Sequence, residues 1–151
     1  MIAVDTNVLV YAFRRDSPHH GRARDAVESL VDGRSEWAIP WPCVHEFISI
    51  ATHPRIYDPP SPVLEALRML EELVATGTVR LLGEETDHLR VLGELLETSG
   101  ATGPKVHDAR IAAICLGHGV SELWSADRDF SYFPALRTRN PLVGPRRGAR
   151  L

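Results

Sequence analysis

Cysteine is scarce in this sequence, and long apolar runs are absent. The 151 residues include only Cys43 and Cys115, which are too few for a disulfide framework and have no CxxC spacing, so we expect two buried thiols in a reducing compartment. No stretch approaches the roughly 18 apolar residues of a membrane span, and no apolar segment with a small-residue cleavage site follows a basic start. These absences predict a soluble, cytoplasmic chain with no membrane partner.

Positive charge is also limited. The formal net charge is −3, whereas a basic domain is the usual electrostatic footprint of a nucleic-acid-binding protein. The charge is not evenly distributed along the chain, because residues 137–151 contain five arginines and no acid. We interpret this arginine-rich segment as a contact for RNA or a partner, formed by Arg137, Arg139, Arg146, Arg147 and Arg150.

The length and the pattern of apolar residues predict one domain with an α/β fold. Hydrophobic residues make up 44% and charged residues 25% of the chain, which is typical of a globular protein. Short apolar segments predict strands at 1–4, 37–39, 79–82 and 120–124. Helical spacing and capping residues predict helices over 7–13, 17–33, 44–51, 61–77, 86–100 and 105–116. Strands separated by helices favour a mostly parallel sheet, and residues from 131 onward read as a loop and a partly ordered tail.

Four acids stand inside otherwise apolar segments. Asp5 and Asp127 each end a predicted strand, which is where open parallel sheets place their ligand sites. Asp108 lies near the start of a predicted helix, and Glu46 lies in the helix that follows Pro42. Each acid also has a purely structural interpretation, since Asp5 and Asp108 suit helix N-termini and Asp127 suits a turn.

Convergence of these acids would give a cation site. Carboxylates are rarely buried unless they are paired or bind a metal, and their mutual repulsion raises their pKa values. An all-oxygen set of ligands suits Mg²⁺, with Mn²⁺ as a substitute. Two such ions about 4 Å apart can activate a water and stabilise the leaving oxygen in phosphodiester cleavage.

Four motifs, in this order and spacing, resemble those of PIN-domain ribonucleases, and most closely those of VapC-like toxins of type II toxin–antitoxin systems. The motifs are Ile2-Ala3-Val4-Asp5-Thr6-Asn7-Val8-Leu9-Val10-Tyr11-Ala12, His45-Glu46-Phe47, His107-Asp108-Ala109-Arg110-Ile111-Ala112-Ala113 and Trp124-Ser125-Ala126-Asp127-Arg128-Asp129-Phe130. The resemblance implies a PIN-like three-layer fold with a short, mostly parallel sheet flanked by helices. It assigns residues 1–136 to the PIN domain and leaves 137–151 as its arginine-rich tail.

The resemblance also implies a Mg²⁺-dependent endoribonuclease with an acidic catalytic site. Asp5, Asp108 and Asp127 would be the metal ligands, and Glu46 would complete the catalytic set. Accessory roles would fall to Asp129 and, through hydrogen bonds to an acid or a phosphate, to Thr6 and Asn7. The implied partners are an RNA substrate, a VapB-type antitoxin and a second copy of the chain in a homodimer.

The expected reaction is hydrolysis that leaves a 5′-phosphate and a 3′-hydroxyl. This hypothesis depends on the acids and on the lack of a histidine pair with a lysine for attack by the 2′-hydroxyl. The residues we expect to contact RNA are Arg14, Arg15, Lys105 and Arg128. We expect the three tryptophans to belong to the core, although each could instead stack on a base.

Two alternatives from other classes stay open on the sequence alone. A phosphatase of the haloacid-dehalogenase type would use Asp5 as a nucleophile, but that family has a second Asp two residues later, where this chain has Asn7. A non-catalytic module that binds RNA or protein would have no need of the acids. A DNA nuclease related to flap endonucleases usually has extensions for which this chain is too short.

Overall fold

The computed structural model describes residues 1–144, which form a five-stranded parallel sheet flanked by six α-helices. The strands are β1 (Ile2–Val4), β2 (Trp37–Pro40), β3 (Val79–Leu82), β4 (Glu122–Trp124) and β5 (Thr138–Arg139). The helices are α1 (Thr6–Phe13), α2 (His20–Val31), α3 (Trp41–Ala51), α4 (Val63–Ala75), α5 (His88–Ser99) and α6 (Lys105–Gly117), with a 3-10 helix at Arg128–Tyr132. The predicted α/β fold is confirmed. Within residues 1–144, no helix combines the length and apolarity needed to cross a membrane.

The strand order β3-β2-β1-β4-β5 creates a switch point between β1 and β4. The chain first builds the sheet outward from β1 to β3 and then returns to add β4 and β5 on the other side. Because crossover connections between parallel strands are right-handed, α1–α4 and α5–α6 lie on opposite faces. The helix packing agrees, since α1 contacts α2 and α3, α3 contacts α4, and α5 contacts α6. Ligands of such sheets bind at the carboxyl ends of the strands beside the switch point.

The central strands are apolar because helices cover both faces of the sheet. Ala3, Val4, Ile39 and Leu123 are fully or almost fully buried. On the helical side, the Phe47 ring is fully buried and packs edge-on against Phe13, with the ring centroids 5.5 Å apart. This packing holds the helix that carries Glu46 against the helix that follows Asp5.

Both cysteines are buried free thiols, as expected. Burial raises the pKa of Cys115 to about 12, so that side chain stays a neutral thiol. Burial also raises the pKa of Cys43. The two thiols therefore behave as small core side chains.

Five of the six predicted helix starts differ from the structure by one to three residues, those of α2 and α4 among them. Helix α2 begins at His20, because the Ser17 hydroxyl accepts the N–H of His19 at 3.1 Å in a turn instead of capping a helix. Helix α4 begins at Val63, and the Ser61 side chain accepts a hydrogen bond from Arg14 at 3.0 Å. Local hydrogen bonds that compete with capping explain both differences.

The chain after residue 131 has more structure than its sequence suggests. Phe133, Leu136 and Leu142 are buried, and β5 pairs with β4 in parallel register. A two-residue strand is too short to show any periodicity, so the prediction of a loop was wrong there. Two of the tail arginines have partners in the fold: Arg137 pairs with Glu122, and Arg139 lies 5.5 Å from the Trp124 ring. The other three, Arg146, Arg147 and Arg150, lie outside the described residues.

The tryptophans do not all belong to the core. Trp37 and Trp124 are buried, whereas Trp41 is 41% exposed at the start of α3. The prediction of a core position was therefore wrong for Trp41. Strand β2 ends at Pro40, and the turn into the helix leaves the next side chain at the surface.

Candidate active site

Asp5 lies at the switch point, directly after β1, and is 5% exposed. Its N–H donates to the carbonyl of Trp124 at 2.9 Å, which extends the pairing of β1 with β4. Its carboxylate accepts two side-chain hydrogen bonds, from the Ser125 hydroxyl to Oδ2 at 2.6 Å and from the Cys43 thiol to Oδ1 at 3.4 Å. The carboxylate is therefore held in one orientation by donors from two other segments.

The loop after β4 is attached to the beginning of α1. Asn7 Oδ1 accepts the N–H of Ala126 at 3.2 Å, and the Ser125 hydroxyl accepts the N–H of Asp127 at 2.9 Å. Asp127 Oδ1 in turn accepts the N–H of Asp129 at 2.8 Å, which caps the 3-10 helix. These bonds fix the position of Asp127 relative to Asp5.

Three acids form a compact group beside this loop. Among residues 1–144, ligand oxygens of Asp108, Asp127 and Asp129 all lie within 4.8 Å of one another. Asp108 comes from the first turn of α6, and the other two come from the loop and the 3-10 helix. Asp129, expected only as an accessory residue, thus stands with Asp108 and Asp127, whereas Asp5 is not a member of this group.

Electrostatic coupling connects the group to Asp5 and Glu46. Burial is the largest cause that raises the pKa of Asp5, and the charge of Asp127 adds to it. Burial also raises the pKa of Asp108, followed by the charge of Asp127. For Glu46, burial comes first and the charge of Asp5 second. The acids predicted from the sequence therefore converge closely enough to repel one another.

The residues present fit a hard cation. The converging side chains are carboxylates, which are the ligands that Mg²⁺ and Mn²⁺ prefer. In addition, the Thr6 hydroxyl at the start of α1 lies close enough to Glu46 to lower its pKa, yet among residues 1–144 it is the one buried side-chain N or O atom without a hydrogen bond of ordinary geometry. An unpaired buried hydroxyl is costly, and it is satisfied when a water or another polar group occupies the site. A cation would also offset the repulsion among the acids.

Lys105 supplies positive charge at one edge of the group. Its Nζ lies 2.6 Å from Asp129 Oδ1 and 4.5 Å from the centre of the Tyr132 ring. The hydrogen bond with Asp129 is the main cause that raises the pKa of Lys105. Lys105 lies three residues before Asp108 on α6, and its ion pair crosses from this helix to Asp129 in the 3-10 helix.

Arg14 is tied into the protein itself. Its guanidinium bonds to Asp16 at 2.6 Å, to the Pro59 carbonyl and the Ser61 hydroxyl at 3.0 Å each, and lies 4.3 Å from the Tyr57 ring. These contacts join the end of α1 to the segment before α4. With its donors engaged within the protein, Arg14 has no part in the RNA contacts that we propose.

Arg15 and Arg128 have exposed side chains. Arg128 follows Asp127 directly and begins the 3-10 helix.

The segments that carry these acids fall within the match of the sequence to a protein-family model. The PIN domain model covers residues 2–136. The chain belongs to the PIN-domain family. Within this family it is 31% identical over 140 residues to ribonuclease VapC48 of Mycobacterium tuberculosis, with 93% of this chain and 97% of the relative covered.

Solved PIN-domain structures share the fold at lower identity. The Mycobacterium tuberculosis toxin VapC20, described as cleaving the sarcin–ricin loop, has a TM-score of 0.64 and 17% identity, over 87% of this chain and 93% of the toxin. VapBC2 from Rickettsia felis, bound to a promoter DNA fragment, gives a TM-score of 0.65 and 19% identity, over 93% of this chain and 98% of the matched chain. These likenesses show the PIN fold.

Sequence reasoning missed two residues of this PIN-domain site, Ser125 and Cys43. Ser125 stands in the fourth motif, two residues before Asp127. That position was the only sequence feature that could have indicated its role beside the acids. Cys43 was interpreted only as a buried thiol. Its contact with Asp5 spans 38 positions and depends on how α3 packs against β1.

Proposed function

We propose that this protein is a divalent-metal-dependent endoribonuclease and the toxin of a VapBC-type toxin–antitoxin pair. The observation that carries the proposal is the convergence of Asp5, Glu46, Asp108, Asp127 and Asp129 beside the switch point. Raised pKa values for Asp5, Glu46 and Asp108 support a site completed by a cation. Membership of the PIN-domain family and the likeness to VapC48 support RNA as the substrate.

The acids divide into ligands and a proton acceptor. Asp108 and Asp127, with Asp129 beside them and Asp5 behind, would hold Mg²⁺ or Mn²⁺. When bound, the cation would neutralise the cluster and polarise the phosphodiester. Glu46 is suited to accept the proton of an attacking water, because a raised pKa brings a carboxylate closer to the pH at which general bases work well. Attack by water on phosphorus forms a new P–O bond and breaks the bond to the 3′ oxygen, which takes up a proton, so the products are a 5′-phosphate and a 3′-hydroxyl.

Positive charge from Lys105 and Arg128 beside the acids, and from the exposed Arg15 beyond the far end of α1, is suited to the RNA backbone. Lys105, Arg128 and Arg15 are the proposed phosphate contacts, since backbone contacts position a nucleic acid without reading its sequence. The proposed protein partner is a VapB-type antitoxin, as in the toxin–antitoxin complexes among the structural neighbours. A homodimer stays a prediction.

The test is incubation of purified, antitoxin-free protein with total bacterial RNA in Mg²⁺, in Mn²⁺ and in EDTA, followed by sequencing of the fragment ends. We expect discrete cuts that require the metal and disappear in the Asp5→Asn, Asp108→Asn double variant. Asp25→Asn, an exposed acid on α2, is the matched control and should cleave like the parent protein.

Three outcomes would contradict the proposal. Fragments ending in 2′,3′-cyclic phosphate would exclude hydrolysis by water. Accumulation of a phosphorylated Asp5 would favour the phosphatase. Tight RNA binding that needs no metal, without any cleavage, would favour a binding module.

A further inference from the structure

A cavity opens beside the acidic site, at Glu46. It has a volume of about 360 Å³ and lies between α3 and α6. Its lining includes Pro42, His45, Glu46, Ser49, His107 and Arg110. Glu46 belongs both to this cavity and to the acidic site. Any group in the cavity therefore lies next to the place where the reaction would occur.

The side chains around Glu46 are those that recognise planar polar groups. His45 and His107 are exposed imidazoles on two different helices. Arg110 is held by Glu84, with N–O distances of 2.5 Å, so its plane is restrained. Beyond the cavity, the exposed Trp41 ring lies 5.9 Å from the His45 ring and continues the aromatic surface. The cavity thus offers flat surfaces and hydrogen-bond donors rather than a purely apolar wall.

A metal ion is not the occupant that this lining favours. Within residues 1–144, the group of potential metal ligands is Asp108, Asp127 and Asp129, and it includes neither His45 nor His107. The volume lies at the lower end of the roughly 300–1,000 Å³ typical of small-molecule pockets, which suits one heterocycle. Bases of single-stranded RNA are bound by stacking on aromatic side chains, histidine and arginine planes included, and by hydrogen bonds to their edges.

We propose that this cavity is a nucleobase subsite, which holds the unpaired base of a nucleotide adjacent to the scissile phosphate. His45 and His107 contact the base, and Arg110 contacts its edge or its phosphate. The inference rests on the proposed ribonuclease function, because it assigns the cavity to the substrate of that same site. It also implies that the substrate is single-stranded or looped where it is cut, since a paired base is not available to enter a cavity.

The test compares RNA with and without bases. The Asp108→Asn variant, which we expect to bind RNA without cleaving it, is titrated in Mg²⁺ with fluorescein-labelled decamers of uridine, adenosine or cytidine, and with an abasic ribose-phosphate decamer of equal charge. We expect at least one base-bearing decamer to bind about 5- to 150-fold more tightly than the abasic chain, the range that stacking of a base provides. Adding His45→Ala and His107→Ala should remove most of this preference and leave affinity for the abasic chain unchanged. His107→Phe should retain more of it than His107→Ala.

Matched controls lie on α5, outside the cavity. His88→Ala and Arg90→Ala should leave the preference for bases unchanged. Equal losses on base-bearing and abasic chains, or no loss in the double histidine variant, would overturn the subsite. Failure of the ribonuclease proposal is distinguishable, because the parent protein would then leave total RNA uncut even though the decamer titrations gave a result.

Discussion

The Ser125 hydroxyl donates to Asp5 Oδ2 at 2.6 Å, across 120 positions of the sequence. Ser125 Oγ also accepts the N–H of Asp127 at 2.9 Å. One buried side chain therefore sets the distance between the acid after β1 and the acid after β4. Side chains that orient the ligands of a metal site in this way have a large effect on affinity and activity.

Replacement of Ser125 by alanine should impair cleavage without unfolding the protein. Loss of the donor frees Asp5 Oδ2 and the loop that carries Asp127, so we expect kcat/KM to fall about 10- to 100-fold and the Mg²⁺ requirement to rise. Ser125→Thr keeps the hydroxyl and should retain most of the activity. Equal activity of the alanine and threonine variants, measured across a Mg²⁺ titration, would show that the hydrogen bond is dispensable.

Removal of one acid from the cluster should stabilise the metal-free protein. Asp108→Asn eliminates a carboxylate whose pKa is raised by burial and by Asp127, so repulsion at neutral pH decreases. We expect the Tm in EDTA at pH 7.5 to rise by about 2 °C, since 1 kcal/mol shifts the Tm of a domain of this size by about 2–4 °C. Calorimetry with and without Mg²⁺ measures the change, and Mg²⁺ should stabilise the parent protein more than the variant.

The raised pKa values of the acids determine how the stability of the metal-free parent protein changes with pH. The folded-state pKa values of Asp5, Glu46 and Asp108 lie above their unfolded values, so the folded state binds more protons. Their contribution to stability is fully present below the unfolded pKa values and is lost as pH rises through the raised ones. The Tm difference between the parent and Asp108→Asn in EDTA should therefore shrink as the pH falls toward 4. A difference that grows on acidification would contradict the repulsion.

Replacement of Lys105 by methionine should change two affinities in opposite directions. Without its ion pair to Lys105, Asp129 is available to a cation, so Mg²⁺ should bind more tightly to the variant. Loss of a phosphate contact should weaken RNA binding and reduce the dependence of log K on log salt by about 0.7, the value for one contact on single-stranded nucleic acid. Lys105→Arg is the charge-preserving control. Weaker Mg²⁺ binding in the methionine variant would show that Lys105 supports the site rather than competing with the metal.

Substitution of Arg14 should affect stability, whereas substitution of Arg15 should affect RNA binding. Arg14→Ala removes hydrogen bonds to Pro59 and Ser61, so its Tm should fall by several degrees. Arg15→Ala changes an exposed side chain and should keep the parent Tm but bind RNA more weakly. Thermal melts and titrations with a labelled RNA decamer give the comparison. A normal Tm for Arg14→Ala would mean that its contacts add nothing to stability.

The Phe47 ring should be essential to the fold. Truncation to alanine leaves a cavity against Phe13, beneath the helix that carries Glu46, and should cost about 3–5 kcal/mol in the free energy of unfolding. Leu89, which is 81% exposed, is the matched apolar control, and Leu89→Ala should change stability by less than about 0.5 kcal/mol. Urea denaturation measures both variants, and similar losses would contradict the burial.

Much of the fold could be predicted because its signals are local. The alternation of apolar strands with amphipathic helices indicated the parallel α/β sheet, and Asp5 and Asp127 could be placed at strand ends from that alternation alone. Prediction failed where an element was too short to show periodicity, or where a predicted capping side chain made another hydrogen bond. Strand β5 has two residues, and the Ser17 and Ser61 side chains bond in turns or to Arg14 rather than at helix starts.

By itself, the sequence determined which acids stand in apolar segments and at which strand ends they occur, because strand and helix periodicity are properties of neighbouring residues. Only the tertiary structure decided that Asp129 joins Asp108 and Asp127, that Lys105 pairs with Asp129, and that Ser125 and Cys43 hold Asp5. These contacts join residues distant in the sequence or on different elements. Their distances depend on how the helices and loops pack around the sheet, which no local pattern encodes.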